Sequence, residues 1–509
     1  MTEATLLHGF AHALSLQNLF YAFIGAAGGT LVGVLPGLGP ASALAILLPV
    51  TAFLPPVGAI TMLLAIYYGS QYGGSTTAIL MNVPGEVSSV VTALDGYPLA
   101  QQGRAAAALT VAGLGSFLAG TASILLLAWI APLLAEASLL FGAPEYFALM
   151  VVSLSALVAL SGRSLVTGIL AATLGLTLTT IGLDPIDGTA RLAFGNVNLM
   201  SGLDVVPVLV GLFGMAEVLI SMEARIGAIA AARLKSWFSF SAWREALASS
   251  GAMARGGAIG FVLGLLPGMG PGITTWIAYD VEKRLAREPE RFGRGAIEGV
   301  AAPEAANNAT AIAGVVPLLA FGIPTVPALA ILLAALQIYG VQPGPLLFGE
   351  KAEFTWTIIA AMFIGNFMCL VLNLPLVGLW ARLVNVPYGI LGPIILAICL
   401  VAGYAPRNSL FDVWTVIVFG IVGYGLRKLD WPPAPMVLGL LLGPTVEKSL
   451  RQSLAMSGGD ASIFFTRPLS LALLIGGAAL VGSALLLRAR EARRLRAATG
   501  FDAAADDWK

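Results

Sequence analysis

Charge is scarce in this chain of 509 residues: Asp, Glu, Lys and Arg together make up 11%, and 27 basic residues balance 27 acidic ones to a formal net charge of zero. That balance gives no support to a basic nucleic-acid surface. The two histidines, His8 and His12, stand near the start, and the two cysteines, Cys369 and Cys399, lie inside apolar segments. Neither a disulfide framework nor a zinc site is supported. There is no HExxH, no nucleophile beside a general base and no GxxxxGK[ST] phosphate loop, so neither a membrane-embedded enzyme nor nucleotide-driven chemistry within this chain has a motif behind it. No cofactor or metal is expected. No Lys or Arg precedes the first apolar run, so the charged n-region of a cleavable signal peptide is missing and the first helix is expected to stay in the mature protein.

Apolar residues are abundant instead, at 58% of the chain, and mean hydropathy is +0.89. Runs long enough to cross a bilayer, roughly 17 to 25 residues, recur along nearly the whole length, for example Leu109 to Leu134, Tyr146 to Leu160, Phe354 to Leu379 and Leu469 to Leu487. This composition predicts an all-α polytopic membrane protein.

One hexapeptide occurs twice inside those runs, as LPGLGP at Leu35 to Pro40 and LPGMGP at Leu266 to Pro271. Self-similarity continues in the same order beyond it. STTAI from Ser75 answers NATAI from Asn308, VPG from Val83 answers IPT from Ile323, and Pro207 with Glu217 answers Pro435 with Glu447. The expected organisation is an N-terminal segment 1–18, a first membrane repeat 19–224, a basic linker 225–251, a second repeat 252–450, a loop and extra C-terminal helix 451–487, and a basic tail 488–509. Corresponding loops differ in charge: KRLAREPERFGR from Lys283 answers an uncharged FLPPVG from Phe53, and Arg427-Lys428 answers the acidic stretch Asp184 to Asp187. Two repeats of inverted topology, with the N-terminus outside and the C-terminus inside, put most Lys and Arg in the cytoplasm. Inverted repeats let one fold open to either side, as in secondary transporters.

Proline removes an amide donor and glycine relaxes the backbone, so PGLGP cannot continue a helix. A re-entrant hairpin or a broken helix is expected, its freed polar groups lining a cavity or buried in protein. A half-helix restarting after Pro40 or Pro271 would offer its N–H groups to an anion, which makes Gly37, Gly39, Gly268 and Gly270 candidate substrate-binding positions. Close helix packing by small residues is the other reading of these glycines. Polar residues cluster after each break. Ser75, Thr76, Thr77 and Asn82 in the first half, with Thr274, Thr275, Asn307, Asn308 and Thr310 in the second, could hold carboxylate oxygens or a sodium ion, although Ser and Thr also bond back to their own helix. The acids Glu86, Asp95, Asp280, Glu298 and Glu304 flank these clusters, and ionisable groups at membrane depth are functional candidates. Glu304 and Glu86 are the candidates for ion coupling, while Asp280 and Glu282 read as a solvated helix end.

Taken together, GVLPGLGP, GSQYGGSTTAILMNVPGE, TALDGYPLAQQGRA, LPGMGPG, EGVAAPEAANNA and FGIPTVPALAILLAAL resemble the large membrane subunit of tripartite tricarboxylate transporters, the TctA family, over about residues 19 to 450. The resemblance implies a permease of the bacterial inner membrane. It would work with a small membrane subunit of the TctB type and a periplasmic solute-binding protein, importing citrate-like or other organic carboxylates on a gradient of sodium or protons. A stand-alone carboxylate channel or exporter is the alternative, since inverted repeats and re-entrant loops serve those too.

Overall fold

The computed structural model describes residues 5–35, 37–160, 164–184, 187–223, 240–383 and 388–499. Arg163, the first part of the expected linker (224–239, with Arg225, Arg233 and Lys235) and residues 500–509 of the tail lie outside the described residues. Numbered along the chain, the longer helices are α1 (Leu6–Ala13), α2 (Leu16–Val34), α3 (Pro40–Thr51), α4 (Pro56–Met81), α5 (Ser89–Leu99), α6 (Ala105–Ala137), α7 (Ala143–Leu160), α8 (Leu165–Leu178) and α9 (Val205–Glu223). They continue as α10 (Phe240–Ala248), α11 (Ser250–Gly264), α12 (Pro271–Leu285), α13 (Glu298–Ala313), α14 (Val315–Phe321), α15 (Pro327–Ile338) and α16 (Ala352–Asn373). The last are α17 (Tyr388–Tyr404), α18 (Leu410–Lys428), α19 (Pro433–Met456) and α20 (Pro468–Thr499). Besides helices, the described residues hold a two-stranded antiparallel ladder of β1 (Gly182–Leu183) and β2 (Ala190–Arg191). The protein is an all-α polytopic one, as its composition predicts. Among the described residues, five helical stretches are long and apolar enough to cross a membrane, or six if the bent pair α10 and α11 counts as one.

Proline opens many of these helices. It stands in the first turn of α3, α4, α12, α15 and α19, where its missing N–H has no intrahelical partner to lose and its fixed φ suits the helix. The two glycines of each hexapeptide adopt the same pair of backbone conformations. Gly37 and Gly268 take φ of +86° and +84°, and Gly39 and Gly270 cap α3 and α12 at φ/ψ of −74°/177° and −76°/171°. A side chain at the first glycine of each pair would force a left-handed conformation costing about 1–2 kcal/mol. A second kind of break follows α4 and α14, where Asn82 (φ 56°) and Gly322 (φ 72°) end their helices in the left-handed C-cap.

The described residues cluster into two compact units, one within 1–139 and 181–429 and the other within 140–180 and 430–509. In the first, α4 is buried at every residue from Gly58 to Met81, and α13 at every residue from Gly299 to Ala313. Both are approached at backbone distance by a glycine-bearing helix. A Cβ at Gly29 or Gly33 of α2 would come within 2.2 or 2.1 Å of the carbonyl oxygens of Ile66 or Ser70, and one at Gly256 or Gly260 of α11 within 2.1 or 2.4 Å of those of Ala302 or Ala306. Close approach of this kind replaces hydrophobic driving force inside a membrane. Ser75, Thr76 and Thr77 therefore sit on α4, and Asn307, Asn308 and Thr310 on α13, two helices buried over nearly their whole length, where backbone and side-chain polarity can be satisfied by protein.

In the second unit, α8 and α19 cross at Gly175 and Gly439 with the same intimacy: a Cβ at Gly175 would lie 2.0 Å from the Met436 carbonyl oxygen. Helix α7 holds the segment leading into α20 through Glu145, which accepts from Arg467 at 3.0 Å, and through Phe147, whose ring lies tilted with its centroid 4.6 Å from that of Phe464.

Candidate functional site

Four helix breaks of the first unit, those at the two hexapeptides and those after α4 and α14, meet at one cavity of about 610 Å³. Gly37, Gly39, Pro40 and Ser42 come from the first break, Pro84 to Ser88 from the second, Gly270, Pro271 and Gly272 from the third, and Val326, Pro327 and Ala328 from the fourth. Helices α3, α5, α12 and α15 thus open on the cavity at their N-terminal ends. The first four N–H groups of a helix have no intrahelical acceptor and carry the positive end of its dipole. Four such ends around one space make a field that favours an anion. Backbone bonds fix three of the breaks: Gly268 N donates to Thr325 O at 2.9 Å, tying the third to the fourth, and Gly85 N reaches Gly74 O at 3.5 Å, holding the second against α4.

Side chains complete the wall. Tyr67 and Gln71 of α4, Phe213 and Glu217 of α9 and Arg427 at the end of α18 line it. Arg427 Nη1 donates to Glu217 Oε2, and their side chains are 27% and 9% exposed. Among the described lining residues Arg427 is the one cation, against two acids, Glu217 and Glu86. Glu86 accepts from Ser88 Oγ at 2.6 Å and from Asn307 Nδ2 at 3.3 Å. Gln71, with its amide nitrogen turned toward Glu86, donates to Oε2 at 2.6 Å and to Asn307 Oδ1 at 3.1 Å.

The residues singled out from the sequence separate into three groups. Gly37, Gly39, Gly270 and Glu86 line the cavity, with Asn307 behind Glu86. Ser75, Thr76 and Glu304 line a different, much smaller void of about 20 Å³. The rest hold the fold. Asn82 is exposed and caps α4. Thr77 Oγ1 donates to Gly74 O at 3.1 Å and Thr275 Oγ1 to Pro271 O at 2.8 Å, each within its own helix. Thr274 and Thr310 share a 2.7 Å hydroxyl bond between α12 and α13, and Gly268 makes the turn already described. Asn308 falls in none of these groups: it is buried, and among the described residues neither of its side-chain polar atoms has a hydrogen-bond partner.

Asp95, one of the flanking acids, and Glu282, read from the sequence as part of a solvated helix end, both hold the fold. Asp95 is fully buried, and its Oδ1 accepts from the backbone N–H groups of Gly293, Gly295 and Ala296 at 2.9, 2.8 and 2.7 Å while Oδ2 accepts from Tyr279 Oη at 2.8 Å. It clamps α5 to the turn before α13. Glu282 is not a solvated helix end: it takes two bonds from Arg255, at 2.9 and 2.6 Å, with its side chain 6% exposed. Asp280 is solvated, half-exposed and paired with Arg284 at 2.7 Å.

Nothing in the sequence singles out Gln71, Phe213 or the Glu217–Arg427 pair as parts of a site. Arg427 reads there as one of the positive charges at a helix end, and only the fold carries it to Glu217, 210 positions earlier in the chain.

Residues 19–438 match the tripartite tricarboxylate transporter TctA family. The chain belongs to that family. A protein of Agrobacterium vitis described as an uncharacterized 52.8 kDa protein in the TAR-I ttuC' 3'region is 44% identical over 487 residues, 95% of this chain and 96% of the relative. A second from the same organism, described as lying in the TAR-II ttuC' 3'region, is 44% identical over 234 residues, 46% of this chain and 97% of the relative. Among solved structures, an Eremococcus coleocola manganese transporter aligns over 92% of this chain and 95% of its own at 12% identity, with a TM-score of 0.13 that carries no argument about fold or cargo. Membership of the TctA family and the long apolar helices together make this a multi-pass membrane protein of a transporter family.

Proposed function

We propose that this TctA-family chain is the large permease subunit of a binding-protein-dependent secondary transporter, importing tricarboxylates or related organic carboxylates and driven by a cation gradient. The observation that carries the reading is the convergence of four helix N-termini on one cavity. Its volume of about 610 Å³ lies in the range of small-molecule sites, and the positive helix ends with Arg427 supply what a multiply charged carboxylate needs. Coupling follows from charge. With Glu86 and Glu217 on the same wall as Arg427, an arriving carboxylate meets two acids and one base, and like charges brought together must be offset by a cation or a proton. Sodium and protons both fit that demand.

On this reading the partners are a periplasmic solute-binding protein that delivers the carboxylate and a small membrane subunit of the TctB type. The chain lies in the bacterial inner membrane with its N-terminus periplasmic and its C-terminus cytoplasmic, its repeats inverted. It is a transporter and not an enzyme. A stand-alone carboxylate channel or exporter is the rival. Uptake of labelled citrate and smaller dicarboxylates into proteoliposomes holding this chain and its small subunit, with and without the binding protein, under imposed sodium or proton gradients, separates them. Accumulation that needs both binding protein and gradient supports the proposal; equilibration that needs neither replaces it with the channel.

A further inference from the structure

Glu304 is 1% exposed, and among the described residues no cationic side chain pairs with it. It is surrounded by hydroxyls. Ser75 Oγ donates to its two oxygens at 2.7 and 2.8 Å, Ser116 Oγ donates at 3.2 Å, and Thr92 Oγ1 donates from α5. An ionised carboxylate only accepts, so these three groups give it their protons and keep their lone pairs for another neighbour. A buried charge left without a counter-charge costs several kcal/mol.

The space beside it is of a size to supply one. The void of about 20 Å³ has Glu304, Ser75, Ser116, Tyr72, Thr76 and Asn373 as its polar lining and apolar residues, chiefly of α4 and α6, over the rest, and a single water-sized body needs about 10–15 Å³. Asn373 is an independent sign. It is 5% exposed, its Nδ2 donates to Thr30 Oγ1 at 3.1 Å and to Cys369 O at 2.8 Å, and its Oδ1, in a residue that lines the void, has no hydrogen-bond partner among the described residues. An orphaned amide oxygen and a carboxylate without a cation, both in residues lining one void, are a poor arrangement for a dry space and a good one for a hard cation.

We propose that Glu304, Ser75, Ser116 and Asn373 Oδ1 form a binding site for one small dehydrated monovalent cation of the sodium type, separate from the carboxylate cavity. One negative ligand among neutral oxygens matches a single positive charge. Calcium draws on six to eight oxygens and usually several carboxylates, and no group of three His, Cys, Asp or Glu occurs among the described residues. The inference deepens the transport proposal and rests on it for the purpose of the site. Asn307 stands one turn after Glu304 on α13 and donates to Glu86 on the cavity wall, so the two sites share a helix.

The test uses the full chain in detergent, free of carboxylate, with sodium chloride titrated against choline chloride at constant ionic strength and the unfolding midpoint as readout. The midpoint is expected to rise saturably with sodium and not with choline. Glu304→Gln should abolish the rise, and Ser116→Ala and Asn373→Ala should each raise the half-saturating sodium concentration about tenfold, the scale of losing one contact at a metal site. Should Glu304→Gln fail to fold, the two alanine variants still decide. A wild-type midpoint indifferent to sodium, or alanine variants that respond like wild type, overturns the site. Because no carboxylate is present, sodium binding without carboxylate uptake would sink the transport reading alone, and carboxylate uptake without sodium binding would sink this inference alone.

Discussion

Glu217 holds the cation that a carboxylate substrate would want, and removing its charge without removing its bulk should free that cation. In Glu217→Gln the bond from Arg427 Nη1 to Oε2 changes from an ion pair to a bond between the same cation and a neutral amide. Losing the carboxylate charge of a half-buried pair falls between the ~0.2–1 kcal/mol of an exposed pair and the ~3–5 kcal/mol of a buried one, so the variant weakens the competitor by about 1–2 kcal/mol. A ligand that must displace Glu217 from Arg427 then binds roughly 5- to 30-fold more tightly. Arg427→Gln works in the opposite direction, removing the one described cation of the wall, and should weaken binding at least about tenfold, the loss of one charge-assisted bond. Equilibrium binding of labelled citrate to the purified chain measures both. The side chains are only 9% and 27% exposed, so the contrast should largely persist as salt is raised, because a partly buried pair is screened much less than an exposed one. If Glu217→Gln binds within twofold of wild type and Arg427→Gln does the same, the pair is a structural latch and the helix ends alone face the anion.

Asp95 offers a stability test. Asp95→Ala leaves three backbone N–H groups and a tyrosine hydroxyl without their acceptor, at about 1–3 kcal/mol for each group that stays buried and unpaired; a large fall in unfolding midpoint is expected, and a fall under a degree would show that the clamp is dispensable. Asn82→Gly should be silent in both stability and carboxylate affinity, because glycine suits a left-handed C-cap at least as well as asparagine; weakened citrate binding would return Asn82 to the pathway. Gly33→Leu should abolish folded protein, since even a Cβ there would sit 2.1 Å from the Ser70 carbonyl oxygen, and normal expression of a monodisperse variant would contradict the packing. Gly37→Ala should cost about 1–2 kcal/mol from its φ of +86°, read as a lowered midpoint.

Local chemistry made much of this fold legible. The apolar runs at Tyr146 to Leu160 and Phe354 to Leu379 became α7 and most of α16, because a run too long and too apolar for water has few structures open to it other than a helix. The hexapeptides stop their helices because proline and glycine act on the residues beside them, and they restart them at Pro40 and Pro271 for the same reason. Thr77 and Thr275, read as possible ligands, bond back within their helices, an alternative that the type of residue already contained.

By itself the sequence therefore determined the helices, the places where they break and the kind of polar group set beside each break, all of which depend on neighbours within a few residues. Which breaks meet was decided by tertiary structure. It brought Gly37, Glu86, Gly270 and Val326 around one cavity, sent Ser75 and Glu304 to a separate void, and joined Arg427 to Glu217. The physical reason is range: a cap or a kink is fixed by backbone sterics over one turn, whereas a cavity exists only after glycine-lined helices such as α2 and α11 have come to backbone contact with α4 and α13 and left their broken ends facing one another.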